Sequence, residues 1–103
     1  MIEIIVESNP VIECDDLWWI EARCATDVSK GVRLRKAIPY VVKCNKQNAI
    51  CERLDGSAFE VDLTVERLLS WGREWDVVYS GMTAKVFIRG EASNIGVGLF
   101  LTD

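Results

Sequence analysis

The side chains able to do chemistry in this chain are four cysteines, Cys14, Cys24, Cys44 and Cys51, and an acidic run of Glu13, Asp15 and Asp16, while histidine is absent altogether. Without imidazole the chain lacks the usual proton shuttle near neutral pH, so a Ser-His or Cys-His nucleophile within one chain is excluded. Carboxylate or lysine chemistry, or a hard cation on oxygen ligands, is what stays open. The stretch ECDD has neither the spaced ligands nor the turn glycine of a calcium loop and reads as a solvated loop. Structural zinc sites close short chelate loops, whereas nine, nineteen and six residues separate successive cysteines here. No metal and no cofactor is expected, and there is no P-loop or dinucleotide fingerprint. The balance points away from an enzyme.

The cysteines are instead expected to be reduced, buried, small apolar residues of a cytoplasmic protein. The N-terminal stretch MIEIIVE carries glutamates where a secretory signal would carry lysines, and no apolar run approaches the ~18 residues needed to span a bilayer. At 103 residues the chain fits one domain, residues 1–103. Half of it is hydrophobic or aromatic (50 %), and with the glycines counted the apolar share rises above the roughly 45–50 % of ordinary soluble domains. That surplus favours burial against another copy or another protein.

Charge is segregated along the chain. Residues 1–27 hold Glu3, Glu7, Glu13, Asp15, Asp16, Glu21 and Asp27 against Arg23 alone, and residues 28–46 hold Lys30, Arg33, Arg35, Lys36, Lys43 and Lys46 with no acid. Pairing of these two segments side by side would neutralise both. A net charge of −4 argues against nucleic acid as a partner, although Lys30–Lys36 is the one stretch that could hold phosphate.

The elements that must position these residues read mainly as strands. Residues 17–24, LWWIEARC, alternate so that Trp18, Ile20, Ala22 and Cys24 share one apolar face and Trp19, Glu21 and Arg23 share the other with Leu17. Trp18 belongs to the core. Trp19, an aromatic beside two charges, suits an interface or ligand site, and Trp19, Glu21 and Arg23 are candidate binding residues. In the C-terminal strand Gly96, Gly98 and Phe100 fall on one face, where missing side chains would let a partner or ligand approach, which makes them the second candidate set. Asp55-Gly56 signals a tight hairpin that would place Ile50, Leu54, Phe59 and Val61 in the core. Over residues 64–75 the spacing of Val65, Leu68, Leu69 and Gly72, with Thr64 as N-cap, predicts the one main helix, with Trp71 and Trp75 at its margin.

The expected fold is therefore α+β: a curved or partly closed antiparallel sheet of about six to seven strands with one main helix. Two functions fit. The first is a non-enzymatic protein-interaction or assembly module, self-associating, with an aromatic surface around Trp19. The second is a small-ligand or enzymatic cup whose polar group is a carboxylate such as Glu21 or Glu52. Thiol counting under denaturing, non-reducing conditions is expected to return four free thiols, with no stoichiometric zinc by elemental analysis. Protected thiols or bound zinc would contradict the reading of the cysteines.

Overall fold

The computed structural model describes all residues, Met1–Asp103. It contains eleven strands: β1 (Glu3–Val6), β2 (Val11–Cys14), β3 (Leu17–Cys24), β4 (Val28–Ser29), β5 (Arg33–Cys44), β6 (Ala49–Arg53), β7 (Phe59–Ser70), β8 (Arg73–Glu74), β9 (Val77–Val78), β10 (Thr83–Arg89) and β11 (Leu99–Thr102). The one helical segment is a three-residue 3₁₀ turn, Asp55–Ser57. The protein is an antiparallel, nearly all-β structure and not α+β, and no main helix exists.

Residues 64–75, expected to be helical, form most of β7, a turn and β8. The cause is a β-bulge. On the neighbouring strand Phe87 faces Arg67 but Ile88 faces Val65, which leaves Glu66 unopposed. One extra residue reverses the alternation, so Leu63, Val65, Leu68 and Ser70 all face inward. The three-residue step from Val65 to Leu68 imitates helical spacing.

Six strands close a ring in the order β5, β11, β1, β3, β10, β7 and back to β5, every pair antiparallel. Closure removes the long apolar edges that an open sheet would expose. The inward residues of the ring, among them Ile4, Val6, Ile20, Ala22, Leu34, Leu63, Val65, Val86, Ile88 and Leu101, form a single buried cluster. Two connections cross between strands that are not neighbours, and each places side chains over one end of the barrel. The link from β3 to β5 contributes Val28 on β4, which pairs with Val78 on β9, and the link from β10 to β11 contributes Ala92 and Ile95. Because β3 and β10 are antiparallel, their C-terminal ends lie at opposite ends of the barrel, so both ends are stoppered.

The second link requires Gly90. Its φ is +132°, and a Cβ there would stand 2.4 Å from the Asp62 carbonyl oxygen and 3.1 Å from Leu63 Cδ2. Its N–H donates to the Asp16 carbonyl at 2.9 Å.

Acidic and basic segments do not pair as expected, since β3 and β5 lie across the barrel from each other. Arg33 instead donates to the Asp62 carboxylate on β7 from Nε and Nη2, at 2.9 and 3.0 Å. Asp16 accepts from Arg89 Nη1 at 2.5 Å, and Arg89 also grips Glu66, the bulge residue, which holds that carboxyl below its ordinary range.

Cys24 is buried, but Cys14, Cys44 and Cys51 are exposed, contrary to the expectation that all four lie inside. Burial pushes the Cys24 thiol from its ordinary 9.0 up to about 11. No helix is long and apolar enough to cross a membrane.

The contacts around Gly90 generate a test. Gly90→Ala is expected to cost about 3 kcal/mol or more in urea denaturation, because the backbone oxygen it meets cannot swing away. Gly56→Ala, with nothing within 4 Å of its Cβ, should change stability by less than about 0.5 kcal/mol. Equal effects would mean that the second crossing is not held as described.

Candidate functional site

Two surfaces stand out from the barrel wall. The first is a ridge on the outward face of β2, β3, β10 and β7, where Val11, Trp19, Phe87 and Arg67 follow one another across the strands. Trp18 points inward, as its alternation requires, and is half-buried against the core. Trp19 points outward and is half-buried too, because Lys85 Nζ lies over its ring, 4.0 Å from the centroid. Phe87 is buried although it faces outward: the Arg67 guanidinium sits 4.8 Å from its centroid and is itself bound by Glu74. These are cation–π contacts that cover aromatic rings with cations from the same chain.

Beside the ridge is a shallow hollow of about 420 Å³, lined by Glu21, Leu69, Ser70, Trp71, Thr83 and Lys85 among others. Trp71 is the exposed aromatic residue of this surface, 86 % accessible. It occupies the first position of the two-residue turn between β7 and β8, with φ of 55° at Trp71 and 72° at Gly72. Positive φ at both central residues defines a type I′ hairpin turn, whose first position favours Asn, Asp or Gly. For a bulky side chain the left-handed region costs about 1–2 kcal/mol. Trp75 stabilises the turn from below, donating from Nε1 to the Ser70 carbonyl at 2.8 Å.

The second surface is an arm. β5 is twelve residues long and outruns its barrel partner β11, with which its last register pair is Pro39 with Leu99. Beyond that point the Tyr40 N–H still donates to the Gly98 carbonyl at 3.0 Å, and from Val41 on β5 is bonded to β6 alone, the β5–β6 register running from Tyr40–Arg53 to Cys44–Ala49. Five register pairs at about 3.4 Å add roughly 17 Å, which accounts for a molecule of 42 × 27 × 23 Å. Val42 (57 %), Ile50 (54 %) and Val41 (40 %) are exposed on it. Alternation puts Val42, Cys44, Ala49 and Cys51 on one face and Val41 and Ile50 on the other, with a Lys43–Glu52 ion pair.

β6 therefore does not form the expected hairpin with β7. Asp55-Gly56 lies in the 3₁₀ turn instead, Ile50 and Leu54 are exposed, and Phe59 and Val61 are only half-buried at the core margin. The turn that does close the hairpin is Asn45–Asn48, where Asn45 Oδ1 accepts from the N–H groups of Gln47 and Asn48 at 3.0 and 2.8 Å.

The remaining sequence candidates fall elsewhere. Arg23 is exposed and shares a row with Ile5 and Phe100, so Phe100 joins the outer wall and not a glycine-lined face. Tyr40 and Arg53 cover it, with centroids 4.6 Å apart for the ring pair and the guanidinium 4.6 Å above the ring. Arg53 also pairs with Glu3, which ties the root of the arm to the barrel. Gly96 and Gly98 precede β11 in the second crossing. A Cβ on Gly96 would meet Asn9 Oδ1 at 3.2 Å, and Gly98 has φ of +97°. Of the predicted residues the structure brings Glu21 alone into the lining of the Trp71 hollow; Trp19 lies beside it under Lys85, and Gly96, Gly98 and Phe100 are separate from it. No group of three or more His, Cys, Asp or Glu side chains is gathered as a metal set would be.

The sequence reading missed Trp71 as a turn residue and the arm as an exposed structure. A Trp-Gly pair between two apolar stretches, and an apolar run of both parities through Tyr40–Val42 leading to a polar Asn-Lys-Gln-Asn turn, were the available signals. Comparison with protein-family models, with curated proteins and with solved structures finds no match to this chain.

The strained turn yields a prediction. Trp71→Asn is expected to raise stability by about 1 kcal/mol, since asparagine accepts the left-handed conformation and nothing buried is lost. Urea denaturation measures it, and a loss of stability would show that the indole is held by packing.

Proposed function

We propose that this protein is a non-enzymatic assembly module, a rigid barrel that holds out an apolar two-stranded arm to bind protein, in the first place a second copy of itself. The observation that carries the reading is the arm: Val41, Val42 and Ile50 are exposed on its two faces. Exposed apolar groups gathered on a projecting element mark an interaction surface more often than scattered ones do. The barrel interior is filled by its own side chains, which favours assembly over a ligand cup. We place the module in the cytoplasm, where its three exposed thiols would stay reduced. Nucleic acid is not assigned, because Arg33 in the basic segment is committed to Asp62.

A ligand reading has one observation in its favour, the hollow lined by exposed Trp71 together with Glu21 and Lys85. A stacking ligand there would have an aromatic platform and charges of both signs. A thermal-shift screen with Trp71→Asn as the control addresses it.

For the assembly reading, Val42→Asp combined with Ile50→Asp places a charge on each face of the arm. Light scattering is expected to give a dimer or larger species for the natural sequence and the 11.6 kDa monomer for the variant. Urea denaturation should find the two monomers equal within about 0.5 kcal/mol, since neither side chain is in the core. A natural chain that is monomeric, or a variant that still assembles, would contradict the reading.

A further inference from the structure

We infer that two copies of this chain join through the outer edge of β6, in an antiparallel pairing centred on Cys51; the inference rests on the assembly reading above and specifies its geometry. β6 ends the strand order and has a neighbour on one side only. The hydrogen-bond phase of the arm fixes which of its backbone groups are free. Leu54 N–H donates to the Pro39 carbonyl and Asn45 N–H to the Asn48 carbonyl, so the pairs 39–54 and 45–48 are of the hydrogen-bonded kind. In an antiparallel ladder this kind alternates with the other. The residues of β6 that turn their N–H and C=O groups away from β5 are therefore Ala49, Cys51 and Arg53.

That set is self-complementary about a two-fold axis. Placing Cys51 opposite the Cys51 of a second copy brings Ala49 opposite Arg53, and each of these pairs can exchange two backbone hydrogen bonds. An isologous contact of this type closes on itself and gives a dimer, not a fibre. The intervening pair is Ile50 with Glu52, so no like charges oppose each other. Shifting the register by two residues in one direction sets Glu52 against Glu52, and in the other it carries Arg53 past the strand into the Asn45–Asn48 turn. The centred register is the favoured one.

β5 also has an open edge beyond its contact with Gly98, but only Val42 and Cys44 turn backbone groups outward on it, since the Tyr40 N–H is taken by the Gly98 carbonyl. The remaining open edges are guarded, and that of β6 is not. β2 is preceded by Pro10, carries a register shift between Ile12 and Cys14, and runs into Glu13, Asp15 and Asp16; β8 has two residues. Prolines, bulges, charges and shortness are the usual protections of a sheet edge. β6 is five exposed residues without proline or bulge. Its two charges are already engaged within the chain, Glu52 by Lys43 and Arg53 by Glu3 and the Phe100 ring.

Substitution at Cys51 tests the edge itself. Because its N–H faces away from β5, Cys51→Pro removes no hydrogen bond of the arm, yet it takes away a donor at the dyad and adds a ring there. Cys51→Lys leaves the backbone intact and opposes two ammonium groups across the axis, and it decides the matter if proline disturbs the arm. Sedimentation velocity over a micromolar concentration series is expected to show a dimer for the natural chain, and for both variants a dissociation constant weaker by about tenfold or more. In a Cys14→Ser, Cys44→Ser chain, where Cys51 is the remaining exposed thiol, a short bis-maleimide should join two chains.

Assembly that survives both Cys51 variants overturns the edge pairing. If Val42→Asp with Ile50→Asp then still breaks it, the arm binds by its faces and the broader reading stands. A natural chain that stays monomeric throughout the series overturns both.

Discussion

The antiparallel seam between β5 and β7 is the contact on which the rest of this structure depends. Arg33 faces Thr64, Leu34 faces Leu63 and Ala37 faces Phe59 across it, and with it the sheet becomes a ring. Without it, two strands of twelve residues each would be long apolar edges in water, the arrangement most prone to unintended pairing. The seam also fixes where β5 sits against β11, and hence that β5 leaves the barrel after Pro39. The arm is the part of a long strand that closure cannot use.

Closure also decides where binding can occur. A six-stranded ring with Ile, Val and Leu side chains directed inward fills its own interior, and the crossings with Val28, Val78, Ala92 and Ile95 close its ends. Outward aromatic residues are then left to find other covers. Phe87 and Trp19 take Arg67 and Lys85, and Phe100 takes Tyr40 and Arg53. Trp71 takes none, and neither do the apolar residues of the arm. What the chain leaves uncovered is the best guide to what it touches.

Most strands, including the two faces of β3, were legible in the sequence because their alternation is regular: Ile20, Ala22 and Cys24 are buried, and Glu21 and Arg23 are exposed. The helix expected over 64–75 failed for one local reason. A single unopposed residue, Glu66, shifts the parity of β7, and a strand with a bulge then repeats apolar positions at the spacing of a helical turn. The hairpin at Asp55-Gly56 failed for another. Turn chemistry is local, whereas the partner of β6 is settled by how far β5 extends, which depends on the β5–β11 register. Which strands cross the barrel could not be read at all, since it follows from non-local pairing. Of the candidate site residues, Glu21 lines the hollow and Trp19 lies next to it under Lys85, while Gly96 and Gly98 precede a strand that begins only at Leu99. Composition says that cysteine is usually inside, not where a given cysteine lies, and Cys14, Cys44 and Cys51 lie outside.

Residue-resolved amide hydrogen exchange, followed as the protein is concentrated, tests the central claim most directly: a closed barrel carries an arm whose outer edge is its contact. The account predicts slow exchange at every concentration for barrel amides such as those of Val65 and Val86. The amides of Ala49, Cys51 and Arg53 should exchange freely when dilute and become protected together on concentration, while those of Ile50 and Glu52, already bonded to β5, change far less. Outer-edge amides whose exchange does not depend on concentration, or barrel amides that exchange as freely as the arm, would contradict it.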